Sequence, residues 1–188
     1  MSGIIVYASR YGASRAYAEK LSGLTGIPAF DRRRSPELPK EGPVVFIGGI
    51  YAGKVTALKK TLRGFVPSKG QAVIIAAVGL SDRSEPESAA AAKAEIEKQL
   101  PPAAAAQAKI FLLRGKIDYS VLKPFHRLAL ALMNSMSARL PESELPPESH
   151  IITETYGKKA DFTDFGALNG IIAALTKSGA LPRKAAER

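Results

Sequence analysis

Four short apolar runs, each closed by a turn and most of them followed by a helical pattern, constrain this chain more than any other feature. They cover 4–8, 44–47, 72–78 and 110–113, with a weaker fifth near 28–31. Their apolar positions are consecutive, not alternate, so both faces of each strand must be buried. Helical spacing occupies 13–24 (Ala16, Tyr17, Leu21 and Leu24 on one side), 55–66 (Leu58, Leu62 and Phe65), 86–100 and 162–177. Strands covered on both faces and separated by helices predict an α/β fold, a doubly wound five-stranded parallel sheet with right-handed crossovers. The length of 188 residues suits a single domain.

The stretch 116–150 breaks the alternation and is too long for an ordinary connection. It carries a helical pattern over 121–140, then Pro141, Pro146 and Pro147, and is expected to be an insertion beside the carboxyl edge of the sheet. Between Gln107 and Leu140 six Lys or Arg face one acid, Asp118, for a net of +5. Val121, Leu122, Phe125, Leu128, Ala129, Leu132, Met133, Met136 and Leu140 recur at helical spacing. The plain reading is an amphipathic helix packed with that face inward. The functional reading leaves part of the face open to an anionic, hydrophobic partner: a carboxylated tetrapyrrole, a quinone or a bilayer surface.

The composition excludes several chemistries. With no cysteine, disulfides, thiol redox work and thiolate metal sites are ruled out, so redox activity would need a cofactor. His126 and His150 lie on unlike segments, and no metal centre is expected. No signal peptide and no apolar run of about 20 residues is visible, so the expected location is cytoplasmic, with peripheral association at the inner face of the membrane. The net charge of +10 favours anionic partners, yet the longest basic run is Arg32-Arg33-Arg34 and no basic stretch interleaves with aromatics, so nucleic acid is not expected. No pair of acid and base side chains stands out, and no catalytic residue is assigned.

Ligands of doubly wound sheets sit outside the carboxyl ends of the strands, at the switch point. Three strand ends carry suitable loops. In Ser9-Arg10-Tyr11-Gly12-Ala13-Ser14 the following helix offers free N–H groups and a favourable dipole to an anion, two hydroxyls can donate, and Gly12 admits close approach. That loop has neither a dinucleotide fingerprint nor a P-loop lysine. In Gly48-Gly49-Ile50-Tyr51-Ala52-Gly53 paired glycines permit unusual peptide orientations, and Tyr51 offers a ring for stacking. The third loop is Val78-Gly79-Leu80-Ser81.

The run from Ile5 to Ser14 resembles the strand and phosphate loop of flavodoxins, with Gly48–Gly53 and Val78–Ser81 resembling their second and third flavin loops. More narrowly, Leu113-Arg114-Gly115-Lys116-Ile117-Asp118-Tyr119 before a basic apolar helix, and Tyr156 through Asp161-Phe162-Thr163-Asp164-Phe165, resemble flavodoxin-type protoporphyrinogen IX dehydrogenases. The resemblance implies one FMN, not FAD. Ser9, Arg10, Tyr11, Gly12, Ala13 and Ser14 would hold its phosphate. Gly48, Gly49, Ile50, Tyr51, Ala52 and Gly53 would border the ring on one side, Val78, Gly79 and Leu80 would lie at its pyrimidine side, and Gly115 and Tyr119 would close the edge. It also implies that a peptide at Gly48-Gly49 turns over when the flavin is protonated. The chain departs from flavodoxins in lacking tryptophan and in being basic. The expected function is an FMN oxidoreductase passing electrons from a reduced small-molecule substrate, porphyrinogen-like, to a quinone or other acceptor. The alternatives are an electron carrier without its own substrate and a scaffold that binds no flavin.

Overall fold

In the computed structural model, residues 3–51, 53–82, 84–137, 139 and 147–182 are described. The apolar runs form β1 (Ile4–Ala8), β2 (Ala29–Asp31), β3 (Val44–Tyr51), β5 (Val73–Gly79) and β6 (Ala108–Arg114). These five pair in parallel in the order β2-β1-β3-β5-β6, and β4 (Lys54–Val55) folds back antiparallel on β3. The sheet builds outward in both directions from β1 and β3, which creates the switch point.

Consecutive apolar residues become two separate cores because successive side chains point to opposite faces. Ile5, Val45, Ile47, Ile74 and Val78 face α1 (Ala13–Thr25) and α7 (Leu168–Lys177), against Tyr17, Leu21, Leu168, Ile171 and Leu175. Val6, Phe46, Ile75 and Ala77 face the other layer, α2 (Leu58–Thr61) and α3 (Pro86–Glu97), against Leu58, Leu62 and Ile96. Ala103, Ala104 and Ala105 join Pro102 in α4 (Pro102–Ala105).

Two helix boundaries differ from expectation. The helix expected over 55–66 is only Leu58–Thr61, because Val55 is taken by β4, where it pairs with Ile50 and donates its N–H to Gln99 Oε1 at 2.9 Å. The final helix starts at Leu168 and not at Phe162. Phe162 N–H instead bonds Gly115 O at 3.0 Å, Asp164 N–H bonds Tyr17 Oη at 2.9 Å, and Asp164 caps a short 3₁₀ turn over Phe165–Ala167 through Gly166 N–H.

The insertion is longer than 116–150. It opens at Gly115 and returns at Phe162, framed by an antiparallel ribbon of β7 (Lys116–Asp118) and β8 (Lys159–Asp161). Between them stand α5 (Pro124–Ser137) and α6 (Pro147–Thr155). The Arg127 guanidinium ties α5 to the ribbon by donating to Tyr119 O at 2.6 and 2.9 Å and to Ser120 O at 3.2 Å. Leu122 is buried, and His126, Leu130 and Asn134, each one turn further along, are half-buried. The apolar residues Phe125, Leu128 and Leu132 point away, at 76, 67 and 62% exposure, together with Met133 and Met136. The helix is amphipathic as expected, but its apolar face is outward. Leu140 lies outside the described residues.

Candidate functional site

The carboxyl ends of β1, β3, β5 and β6 meet at one edge, and the insertion folds over it. The first loop leaves β1 at Ala8. Gly12 stands at the N-cap of α1 with φ +92, a backbone that only glycine adopts freely. Its N–H donates to Ser9 Oγ at 3.1 Å. No side chain caps α1 and no acid sits in its first turn, so its N-terminal N–H groups remain open to an anion. Ser14 is buried, with Oγ beside Gly49. Lys116, from the base of the insertion, brings Nζ within 3.9 Å of where a Cβ on Gly12 would stand. Donors, a glycine approach and a nearby ammonium fit a phosphate group. Sequence reasoning did not include Lys116, since nothing in its spacing links 116 to 12.

The second loop is a hairpin. β3 runs through Gly48 and Gly49 to Tyr51, which pairs with Lys54, and Gly53 in the turn has φ +72. Ala52 lies outside the described residues. Gly48 is glycine for lack of space: a Cβ there would come within 2.8 Å of both Phe46 and Val55 side chains. Gly49 is held in the sheet against Val78, and its carbonyl accepts from Thr56 N–H at 2.8 Å. A peptide rotating at 48–49 would break this pairing. At the turn itself the Gly53 carbonyl accepts from Gln99 Nε2 at 3.2 Å.

Gly79 and Gly115 lie side by side, Gly115 N–H donating to Gly79 O at 2.7 Å, and a Cβ on Gly115 would press within 2.9 Å of Val78. Ile50 crosses above Gly79. Between them and the end of β6 opens a cavity of about 170 Å³, lined by Ile50, Gly79, Asp82 and Arg114 among others. Arg114 stacks over Phe162 at 4.3 Å and reaches Asp82 at 3.4 Å, while its buried Nε has no partner among the described residues. Tyr119 is buried with Ile117 and Leu122, its ring edge-on to Tyr156, and Tyr11 and Leu80 pack on that cluster. Burial raises its phenol pKa.

Over the mouth of the first two loops stands a group the sequence did not reveal. His126, in the first turn of α5, stacks on Tyr51 with centroids 5.7 Å apart and planes at 20°. Its Nε2 accepts from Arg10 at 3.0 Å, so a neutral ring carries its proton on Nδ1, which donates to Tyr11 Oη. Arg10 also lies 5.3 Å from the Tyr51 ring centre. Desolvation, then Arg10 and Lys123, lower the His126 pKa, which favours that neutral form. Burial pushes the Tyr51 phenol up to about 12, leaving it un-ionised at neutral pH. The signal available in the sequence was the seam Leu122-His126-Leu130-Asn134, where two polar residues share a helical face with two leucines.

The family described as Flavodoxin domain matches residues 4–143. No curated protein matches the chain. Among solved structures, a flavodoxin from the domain Archaea is similar at 13% identity and TM-score 0.41, covering 61% of this chain and 85% of that one. A flavoprotein candidate from Bacteroides eggerthii DSM 20697 is similar at 15% identity and TM-score 0.38, covering 60% and 87%.

Proposed function

We propose, from the premise that this chain belongs to the flavodoxin-domain family, that it is an FMN-dependent oxidoreductase moving electrons from a reduced small substrate to a quinone. Family membership supports an FMN-binding electron-transfer role, and the observation that carries the reading further is the meeting of a phosphate-fitting loop with an aromatic and apolar mouth at the switch point. FMN, when bound, supplies a ring that takes up and releases electrons with protons. The protein's part is placement. Ser9, Gly12, Ser14 and the α1 N-terminus receive the terminal phosphate, and Arg10 and Lys116 bring positive charge to it. Ile50, Gly79 and Leu80 border the ring, with Tyr51 as one wall. Among the described residues no second loop fits an adenosine half, which favours FMN over FAD.

The outward face of α5 supports a partner in the bilayer. Phe125, Leu128, Leu132 and Met136 form its exposed stripe, with exposed Lys123, Arg127 and Arg139 alongside. Such a face binds an anionic membrane surface by combined burial and attraction, and a membrane-dissolved quinone is then within reach. Among the described residues no helix is long and apolar enough to cross a membrane, and the association we propose is a peripheral one. The narrower resemblance around 113–119 and 156–165 makes a porphyrinogen the first substrate to try.

The test begins with purified protein, which should absorb near ~450 nm and release FMN on denaturation. A colourless protein that takes up no added FMN overturns the reading. Steady-state oxidation of porphyrinogen with a quinone acceptor then separates an enzyme from an electron carrier: a flavin-loaded protein that turns over neither is a carrier.

A further inference from the structure

The flavin reading leaves one wall of the ring unassigned, and the chain has no tryptophan to supply it. Tyr51, at the tip of β3, provides one planar face. The group parallel to it does not come from any strand-end loop. It is His126, delivered by the insertion from 75 positions further along the chain.

Three observations converge on that ring. The neighbouring pairs are tilted or edge-on: Tyr11 with Tyr51 at 56°, Tyr11 with His126 at 76°, and Phe125 with His126 at 61°. Only Tyr51 and His126, among these, present parallel faces to each other. Both edges of the imidazole are held by the phosphate loop itself, Nδ1 to Tyr11 and Nε2 to Arg10, so the ring's orientation is set by the loop that would bind the cofactor's other end. The imidazole is also neutral in this arrangement, which suits stacking on an electron-poor ring better than a cation would. The centroid separation of 5.7 Å is shorter than twice the roughly 3.5 Å of a van der Waals contact, so a planar ligand would part the pair as it enters.

We propose that His126 is the second wall of the flavin site, so that the isoalloxazine ring is held between Tyr51 and His126 and the inserted helix closes on the cofactor. The assignment rests on the FMN reading above. His126 is here a positioning residue toward the cofactor, and α5 is seated in part by the ligand it covers.

The experiment is fluorescence titration of flavin-stripped protein with FMN, comparing wild type with His126→Ala, His126→Gln and His126→Phe. Gln keeps the capacity to bond Arg10 and Tyr11 but removes the ring. Phe keeps the ring and loses the bonds. Loss of one stacking face should weaken FMN roughly tenfold and relieve part of the quenching of flavin fluorescence in the Ala and Gln variants. Phe should stay close to wild type in quenching and within about threefold in affinity. Wild-type affinity and quenching in Ala overturn the proposal. So does a Gln variant that behaves as wild type while Phe does not, since His126 would then only anchor the helix. If Ala does not fold, the Gln and Phe pair decides alone. A wild type that neither binds nor quenches FMN fells the FMN reading first, which is a distinct outcome from unchanged variants of a protein that binds.

Discussion

Helices α5 and α7 are built from similar material and end in opposite environments. In α7, Leu168, Ile171 and Leu175 are fully buried against the sheet. In α5 the less exposed side carries His126, Leu130 and Asn134, continuing the buried Leu122 just before the helix, and the larger apolar side chains face out. The difference lies in what each helix packs on. The face of a parallel sheet is a continuous apolar surface, so α7 buries everything it can there. α5 instead packs on α6 and, through Leu130, on the small cluster of Ile117, Tyr119 and Leu122, while His126 meets the polar loop at Arg10 and Tyr11. In α5 the apolar stripe of Phe125, Leu128, Leu132 and Met136 is left exposed.

The largest effect should separate the two stripes by stability. Ile171→Ala should cost roughly 2–5 kcal/mol in urea unfolding, as deletion of a fully buried core side chain does. Leu132→Ala should remain within about 0.5 kcal/mol of wild type. A large loss at Leu132 would mean that the stripe is already covered in solution.

The phosphate loop offers the next test. A valine at Gly12 would be strained at φ +92, so weakened flavin binding there would mix backbone and ligand effects. Ser14→Ala with Lys116→Ala avoids that. Removing one hydroxyl and one ammonium should lower FMN affinity roughly ten- to a hundredfold, measured by equilibrium titration, with unchanged circular dichroism. Full affinity in this pair would take the phosphate away from this loop.

Sedimentation with anionic vesicles probes the outward stripe directly. Binding should fall with salt, and Lys123→Glu combined with Leu128→Ser should abolish most of it, each basic residue near such a surface being worth about 1 kcal/mol. Arg127 is the wrong residue to reverse, because it holds the Tyr119 and Ser120 carbonyls and its loss would disturb the helix itself. Equal binding by wild type and variant would leave α5 without a membrane role.

The smallest effect concerns acid. His126 faces Arg10, Tyr11 and Tyr51, with Lys123 and Phe125 next to it on its own segment. Its lowered folded-state pKa means that the unfolded chain takes up the proton more readily. The contribution to docking of α5 is present above the free value of about 6.5 and is lost as pH falls through the lower folded value. Amide protection factors in α5, corrected for the slower intrinsic exchange in acid, should therefore fall between pH 7.5 and 5 while those in α7 change little. Equal loss of protection in both would point to general acid loosening.

The sheet, its order and the three switch-point loops were legible because burial on both faces leaves a plain mark: unbroken apolar runs such as Val73 to Val78, stopped by glycine. Helix ends were less so, since Val55 looks helical by spacing and is claimed by a strand pairing that no local pattern announces. Gly48 and Gly49 were recognised as special, but the reason differs: one is crowded by Phe46 and Val55, and the turn belongs to Gly53. Lys116 and His126 could not be read, because each joins the site through a fold-back of more than 100 residues from Gly12 and Tyr11. Contacts of that separation depend on how the insertion lands, and the apolar pattern of 121–140 suited either a packed or an open face.

The hydrogen bond between Phe162 and Gly115 makes the insertion a graft with a single stem. Chain leaves the sheet and rejoins it at adjacent points, with the β7–β8 ribbon as the stalk. Replacing everything beyond that stalk by a tight turn would ask little of loop entropy and would leave both apolar cores of the sheet uncut. The host and the graft are thereby free to change at different rates: one constrained by close packing, the other by whatever it meets.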